Sequence, residues 1–292
     1  MSSDRPALRL LTGPTAAGKT EAALREAEAS GAEILSCDAV CVYRGLDIGS
    51  AKPTPAERAR VPHHGLDLAP PSERVSVADY VRHARAAIDD AHRRGKPVLV
   101  VGGSGFHLSA FLGPVADDLE IAPEVREEVR RLHAAGIPAM RARLTQLEGG
   151  ALPGWLDADN PLRLAKALER RLASGRPLDV LRSEFLAKPG PFADLEVRAE
   201  VLERPDAELR QRIARRTRAM LAGGLIEEAR TLEGLPDDLP APRAVGYRET
   251  LAWLREGAKG PTEELAEAID RSTWGLVGSQ RKWFRRLGLG PK

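Results

Sequence analysis

Gly13-Pro14-Thr15-Ala16-Ala17-Gly18-Lys19-Thr20 follows the apolar run Leu8 to Thr12 and opens a helix-forming stretch. The spacing G-x-x-x-x-G-K-[ST] between a strand and a helix predicts a phosphate-binding loop. Its glycines let the backbone curl so that successive N–H groups face an anion, and the helix starting near Gly18 points the positive end of its dipole at the same place. Every residue of the loop, from Gly13 through Pro14, Thr15, Ala16, Ala17 and Gly18 to Lys19 and Thr20, is a candidate phosphate contact. Lys19 brings a mobile charge to the distal phosphate, and the Thr20 hydroxyl is the candidate ligand for a magnesium ion, Mg2+. Nucleoside triphosphates and an alkyl diphosphate present similar oxygens, so the loop alone leaves the compound open.

Outward from the loop, strands and helices alternate, which predicts a parallel sheet with helices on its faces. Strands are expected at Leu8–Thr12, Glu33–Ser36 and Val98–Val101, with a helix at about Lys19–Ala29. A long loop is expected after Ser36. Ser76-Val77-Ala78-Asp79 then reads as a capping box that starts a helix closed by Gly95. From about 117 to 189 the pattern is wholly helical and highly charged. Helices are expected near Pro123–Ala135, Ala139–Glu148, Pro161–Ser174 and Leu178–Leu186, and this stretch reads as an insertion. One further strand alternates through Leu195–Val201, and helices near Asp206–Ala222, Ala244–Glu256 and Thr262–Arg286 complete the chain. The expected fold class is therefore α/β, a P-loop NTPase-like parallel sheet core (1–116 and 190–292) flanked by helices, with an inserted all-helical subdomain (117–189).

In open parallel sheets ligands bind beyond the carboxyl ends of the strands. Three such ends are legible: the phosphate loop, Cys37-Asp38, and Gly102-Gly103-Ser104-Gly105. Asp38 is a candidate general base or metal ligand, against the alternative of a turn or helix-cap aspartate. Ser104 places a hydroxyl in a glycine turn. Arg216 follows Leu209 and Ile213 at helical spacing, which predicts that it points inward and needs an anionic partner, either a diphosphate or an internal carboxylate. Arg212, Arg215 and Arg218 are expected on other faces. His63-His64 read as a solvated or substrate-contacting loop, because further metal ligands are not identifiable. Trp274, Trp283 and Phe284 are expected to pack in the core rather than stack on bases.

Composition sets the outer bounds. The 292 residues are 42% hydrophobic and 29% charged, with a net charge of +2, as in an ordinary soluble globular protein. No apolar run reaches the ~20 residues that span a bilayer. The short polar start, Met1 to Pro6, reads as neither signal nor transit peptide, so a cytoplasmic protein without membrane partners is expected; a monomer is the expected state, although no residue pattern decides it. Cys37 and Cys41 fit neither a zinc pair nor a disulfide framework and are expected to line core or pocket. Arginines crowd at 204–218 and basic residues again at 281–286, patches that suit a phosphate backbone or a solvated helix face.

The stretch Asp38-Ala39-Val40-Cys41-Val42-Tyr43-Arg44-Gly45-Leu46-Asp47-Ile48-Gly49-Ser50-Ala51-Lys52-Pro53 closely resembles a signature of the tRNA dimethylallyltransferases. Pro62-His63-His64, Ser76–Tyr80, Val101–Gly105, Asn160, Arg163, Ala167-Leu168-Glu169 and Val245-Gly246-Tyr247-Arg248-Glu249 follow in the same order. The resemblance runs from about Leu10 to Arg286. It implies transfer of a dimethylallyl group from dimethylallyl diphosphate to the exocyclic amine of the adenosine 3′ of a tRNA anticodon, with release of pyrophosphate. On that resemblance Asp38 accepts the amine proton, while Ser104, where the family usually has threonine, sets a hydroxyl between base and donor. Arg216, Lys19, Thr20 and magnesium hold the diphosphate. The insertion and basic surfaces hold the anticodon stem-loop, and Tyr43, Asp47, Lys52, His63, His64, Arg163, Arg248 and Gln280 contact the tRNA. Ala39, Cys41, Phe106-His107 and Lys166 depart from the family's usual residues, and the basic pair usual just before Gln280 is missing. Read from the residues alone, three alternatives stay open: prenylation of a free adenine nucleotide, a P-loop small-molecule kinase, and a non-catalytic tRNA-binding paralogue.

Overall fold

The computed structural model describes residues 6–115 and 119–290. The chain divides into two compact units, Met1–Leu112 with Gly190–Lys292, and Gly113–Pro189.

The first unit is built on a parallel sheet. In chain order its first half runs β1 (Ala7–Thr12), α1 (Lys19–Ser30), β2 (Glu33–Ser36), α2 (Pro55–Arg60), β3 (His63–His64), α3 (Val77–Arg93), β4 (Val98–Gly102) and α4 (Gly105–Leu112). The spatial order is β3-β2-β4-β1, and after the second unit β5 (Glu196–Val201) adds beside β1. Arg9 lies opposite Leu99, Leu8 opposite Val197 and Ile34 opposite Leu99 in the parallel registers. Leu8, Leu10, Leu35, Leu99 and Val100 are essentially inaccessible, each contributing about 1.5–3 kcal/mol of burial. That is why these short strands read as continuous apolar runs rather than alternating ones. Helix α3 carries the expected capping box, with Ser76 accepting from the Asp79 N–H and Asp79 from the Ser76 N–H.

The long loop expected after Ser36 contains two further elements. Thr54 and Glu57 form a second capping box with Pro55 in the first turn of α2. His63 and His64 form the edge strand β3, paired with Ile34 and Leu35, rather than a loop. Two residues are too few to display a period, so this strand leaves no pattern in the sequence.

The rest of the unit consists of α9 (Asp206–Ala222), α10 (Leu225–Arg230), α11 (Pro240–Arg243), α12 (Tyr247–Arg255) and α13 (Thr262–Arg286). Gly246, at φ 96°, delays the start of α12 beyond the expected Ala244. On α13, Phe284 is buried, while Trp274 is partly buried against the Leu209–Ile213–Val277 cluster, with the Arg210 guanidinium 3.8 Å from its ring centroid.

The second unit holds α5 (Pro123–Ala134), α6 (Ile137–Leu147), α7 (Pro161–Ser174) and α8 (Leu178–Ala187) around Val129, Met140, Leu144, Leu164 and Leu168. Asn160 caps α7 by accepting from the N–H groups of Leu162 and Arg163. Arg171 pairs with Glu148 at 2.7 Å. Arg163 is half exposed and pairs with Asp157 at 3.1 Å.

Candidate active site

The carboxyl ends of β1, β2 and β4 open on a cavity of about 620 Å³ lined by the phosphate loop, Asp38, Cys41, Gly49–Ala51, Gly102-Gly103 and one face of α9. The loop is shaped by its surroundings as well as by its glycines. Gly13 has φ 150°, and a Cβ there would stand 2.3 Å from the Leu202 carbonyl oxygen, so no other residue fits. Ala16 adopts a left-handed φ of 65°, a conformation retained at non-glycine residues only where neighbours enforce it. Here Arg212 reaches over from α9 and donates from Nε to the Ala16 carbonyl at 2.7 Å, and Arg204 donates to the Ala17 carbonyl at 3.2 Å.

Lys19 bends back over the loop and donates to the carbonyls of Gly13 (2.9 Å) and Pro14 (2.8 Å). Burial, followed by the nearby Arg216 charge, lowers its ammonium pKa to about 8. Arg216 donates to the Thr15 hydroxyl at 3.3 Å, and burial depresses its pKa while Asp38 supports its charge. An anion between these two cations would remove the penalty that both carry. Thr20 lines the cavity at the start of α1.

The buried stripe of α9 differs from the sequence expectation. It is completed by Thr217, with Leu209 and Ile213, and not by Arg216. Arg216 sits one residue to the side, half-buried, and lines the cavity. Arg212 and Arg215, expected on other faces, line the same cavity. The signal was present: positions 212, 215, 216 and 219 fall on one helical face by their spacing of three, one and three.

Asp38 uses one oxygen to hold its own turn, with Oδ1 accepting from the N–H groups of Val40 (2.8 Å) and Cys41 (3.2 Å). Among the described residues no donor meets Oδ2. The carboxylate is thus the turn residue and keeps its second oxygen available, so holding the turn does not use up the group. Ser104 precedes α4. Its N–H donates to the Cys37 carbonyl at 3.3 Å, tying the glycine turn to the strand end that carries Asp38. Cys37 and Cys41 are both buried free thiols whose pKa burial raises, so they are poor nucleophiles.

The residues expected to touch tRNA occupy several kinds of place. His63 lines the cavity, with Nδ1 on the Val61 carbonyl at 2.7 Å. His64 is tied to buried Glu33 at 2.7 Å. Tyr43 is buried, and Lys52, against expectation, is buried too: its Nζ is held by the Tyr43 carbonyl (2.7 Å), Asp67 (2.7 Å) and Asp47 (2.6 Å). A lysine with three internal acceptors pins the 43–67 segment, a long-range arrangement that has no counterpart in the local sequence. Arg248 is exposed and bonds Glu249 and Ser272. Gln280 is buried between two loops of the site, not on a surface.

Sequence reasoning also passed over Glu228 of α10. Its carboxylate accepts from the N–H groups of Asp47 (2.7 Å), Ile48 (2.9 Å) and Gly49 (2.9 Å) and from the Tyr247 hydroxyl (2.6 Å). It thereby holds the segment that forms one wall of the cavity.

A parallel sheet with a phosphate loop at the end of β1, a cation-lined cavity and an aspartate at the end of β2 defines a P-loop NTPase-like enzyme acting on a phosphorylated compound. The family described as IPP transferase matches residues 41–287, and the chain belongs to that family. A tRNA dimethylallyltransferase of Opitutus terrae is 52% identical over 97% of this chain and 91% of its own length, and one of Geobacter sulfurreducens is 37% identical over 96% and 89%. Among solved structures, the full-length tRNA isopentenylpyrophosphate transferase of Bacillus halodurans superimposes with a TM-score of 0.67 at 30% identity, covering 96% of this chain and 87% of that one. A eukaryotic dimethylallyltransferase acting on tRNA gives 0.79 at 20% identity, covering 96% and 70%, a likeness of fold.

Proposed function

We propose that this protein transfers a dimethylallyl group from dimethylallyl diphosphate to the exocyclic amine of the adenosine 3′ of a tRNA anticodon, releasing pyrophosphate. The observation that carries this reading is the meeting of the phosphate loop, Arg216 and the open oxygen of Asp38 in one cavity of an IPP transferase family member. The loop amides, Lys19 and Arg216 receive the diphosphate and stabilise the charge that grows as it leaves. Asp38 takes the amine proton through Oδ2, its orientation preset by the Val40 and Cys41 amides. Ser104 contributes a hydroxyl beside the acceptor.

Among the described residues no cluster of three or more His, Cys, Asp or Glu could cage a metal. The Thr20 hydroxyl, which lines the cavity at the start of α1, would hold a magnesium ion together with oxygens of the bound diphosphate. Such an ion would neutralise part of the leaving group's charge. The helical unit 113–189, with Arg163, and the exposed Arg248 are the parts we assign to the anticodon stem-loop. Among the described residues no helix is long and apolar enough to cross a membrane, and we read the enzyme as a cytoplasmic monomer.

Incubation with labelled dimethylallyl diphosphate and either unmodified tRNA, adenosine monophosphate or no acceptor tests the proposal. Label is expected in tRNA alone, and label in the free nucleotide would overturn it.

A further inference from the structure

Gln280 sits on α13 where two loops of the site meet. Its side chain is buried, and both ends of the amide are engaged: Oε1 accepts from the Thr15 N–H at 2.9 Å, and Nε2 donates to the Gly103 carbonyl at 3.1 Å. Thr15 belongs to the phosphate loop, and its hydroxyl accepts from Arg216. Gly103 precedes Ser104, whose own N–H reaches the Cys37 carbonyl next to Asp38. One side chain therefore ties the loop assigned to the diphosphate to the turn assigned to the acceptor. The approach is close: a Cβ at 103 would lie 2.5 Å from Gln280 Nε2 and 3.1 Å from the Gly13 carbonyl oxygen, so a side chain there would push the Gln280 amide aside.

We propose that Gln280 is a positioning residue of the transfer reaction: it sets the spacing between diphosphate and acceptor by holding the Thr15 amide and the Gly103 carbonyl. This rests on the reading of the site as an alkyl-transfer centre. Such a transfer needs the leaving oxygen, the carbon and the attacking nitrogen in line, and a misplacement of about 1 Å costs about 10²-fold in rate. An amide is the side chain that fits the gap, since it presents one acceptor end and one donor end. A carboxylate offers two acceptors and would repel the Gly103 carbonyl, and a thioether offers neither bond at useful strength.

Wild type, Gln280→Met and Gln280→Glu are compared in two assays. In single-turnover transfer with saturating substrates, Q280M is expected to be slower by about 10–100-fold, with pyrophosphate affinity within about threefold of wild type. Q280E is expected to match Q280M near pH 8 and to recover relative to it as pH falls, because burial raises the introduced carboxyl's pKa above the ordinary ~4.3 and its protonated form regains a donor for the Gly103 carbonyl. The charged groups lining the cavity, Lys19, Glu21, Asp38, Glu57, His63, Arg212, Arg215 and Arg216, are shared by both variants, so the ratio reports the introduced carboxyl together with its coupling to them. In amide hydrogen exchange, which needs no activity, the Thr15 N–H is expected to exchange at least about tenfold faster in Q280M and close to wild type in Q280E. A Q280M transfer rate within about twofold of wild type, or unchanged Thr15 exchange in Q280M, would overturn the assignment. A higher KM for tRNA with unchanged kcat would make Gln280 an RNA contact instead. Wild type that transfers no label to tRNA would sink the functional reading, and with it the rate claim, while the exchange result would still decide whether Gln280 holds the loop.

Discussion

Replacing Glu228 by glutamine should destabilise the sheet-bearing unit although it leaves the side chain's size and shape unchanged. The two carboxylate oxygens share four donors: Oε2 takes the Asp47 and Ile48 amides, and Oε1 takes the Gly49 amide and the Tyr247 hydroxyl. A glutamine keeps one of these oxygens, and its NH2 group must face donors at the other. Hydrogen bonds to a charged acceptor contribute about 1.5–3 kcal/mol each. The Asp47 amide is at an exposed residue, and Ile48 and Gly49 are half-exposed, so water replaces part of what is lost. The buried Tyr247 hydroxyl and about one amide equivalent stay uncompensated, a net loss of about 2–4 kcal/mol. For a chain of this size each kcal/mol lowers Tm by about 2–4 °C, so thermal unfolding of Glu228→Gln should fall by about 5–12 °C. Tyr247→Phe breaks the bond to Glu228 and the one from the Ser50 N–H, and should fall by about half as much. Because Gly49–Ala51 line the cavity, E228Q should also raise the KM for the acceptor at temperatures where it is folded, leaving pyrophosphate affinity within about twofold. A Glu228→Gln protein melting within about 1 °C of wild type would refute the reasoning.

Asp38→Asn should lower kcat by about 10²–10⁴ while leaving pyrophosphate binding near wild type, and an unchanged kcat would remove Asp38 as the base. The Lys19 ammonium, lowered to about 8 from 10.5, releases its proton earlier in the folded state. The unfolded chain therefore holds the extra proton across that window, and this group's contribution to stability rises with pH through it. Pyrophosphate restores the charge, so its titrated affinity should weaken above about pH 8, and Lys19→Arg should flatten that dependence. His107 is buried against Tyr80, with ring centroids 4.1 Å apart, and burial lowers its pKa from 6.5 to about 4. Its neutral state is the folded one, so stability should be lost as pH falls from about 6.5 towards 4. Urea midpoints of His107→Phe, measured at about pH 7 and pH 5, should differ by less than those of wild type.

Local information decided a good deal about this protein. The phosphate loop, the capping box at Ser76, the continuous apolar strands and the helical periods are written in residues a few positions apart, because backbone hydrogen bonding and one-sided burial act over one turn or one strand. From these came the α/β class, most element positions and the candidacy of Lys19, Thr20 and Asp38. The tertiary structure decided which side chains complete the site. Lys52 is expected to face an RNA by its motif, yet three acceptors from Tyr43, Asp47 and Asp67 make it internal. Arg212 and Arg215 join Arg216 in the cavity because α9 crosses the phosphate loop with that face inward. Glu228 and Gln280 lie 181 and 265 residues from the segments they hold. No local pattern encodes such pairings. They exist because folding brings distant polar groups into places with little water, where each must find a partner.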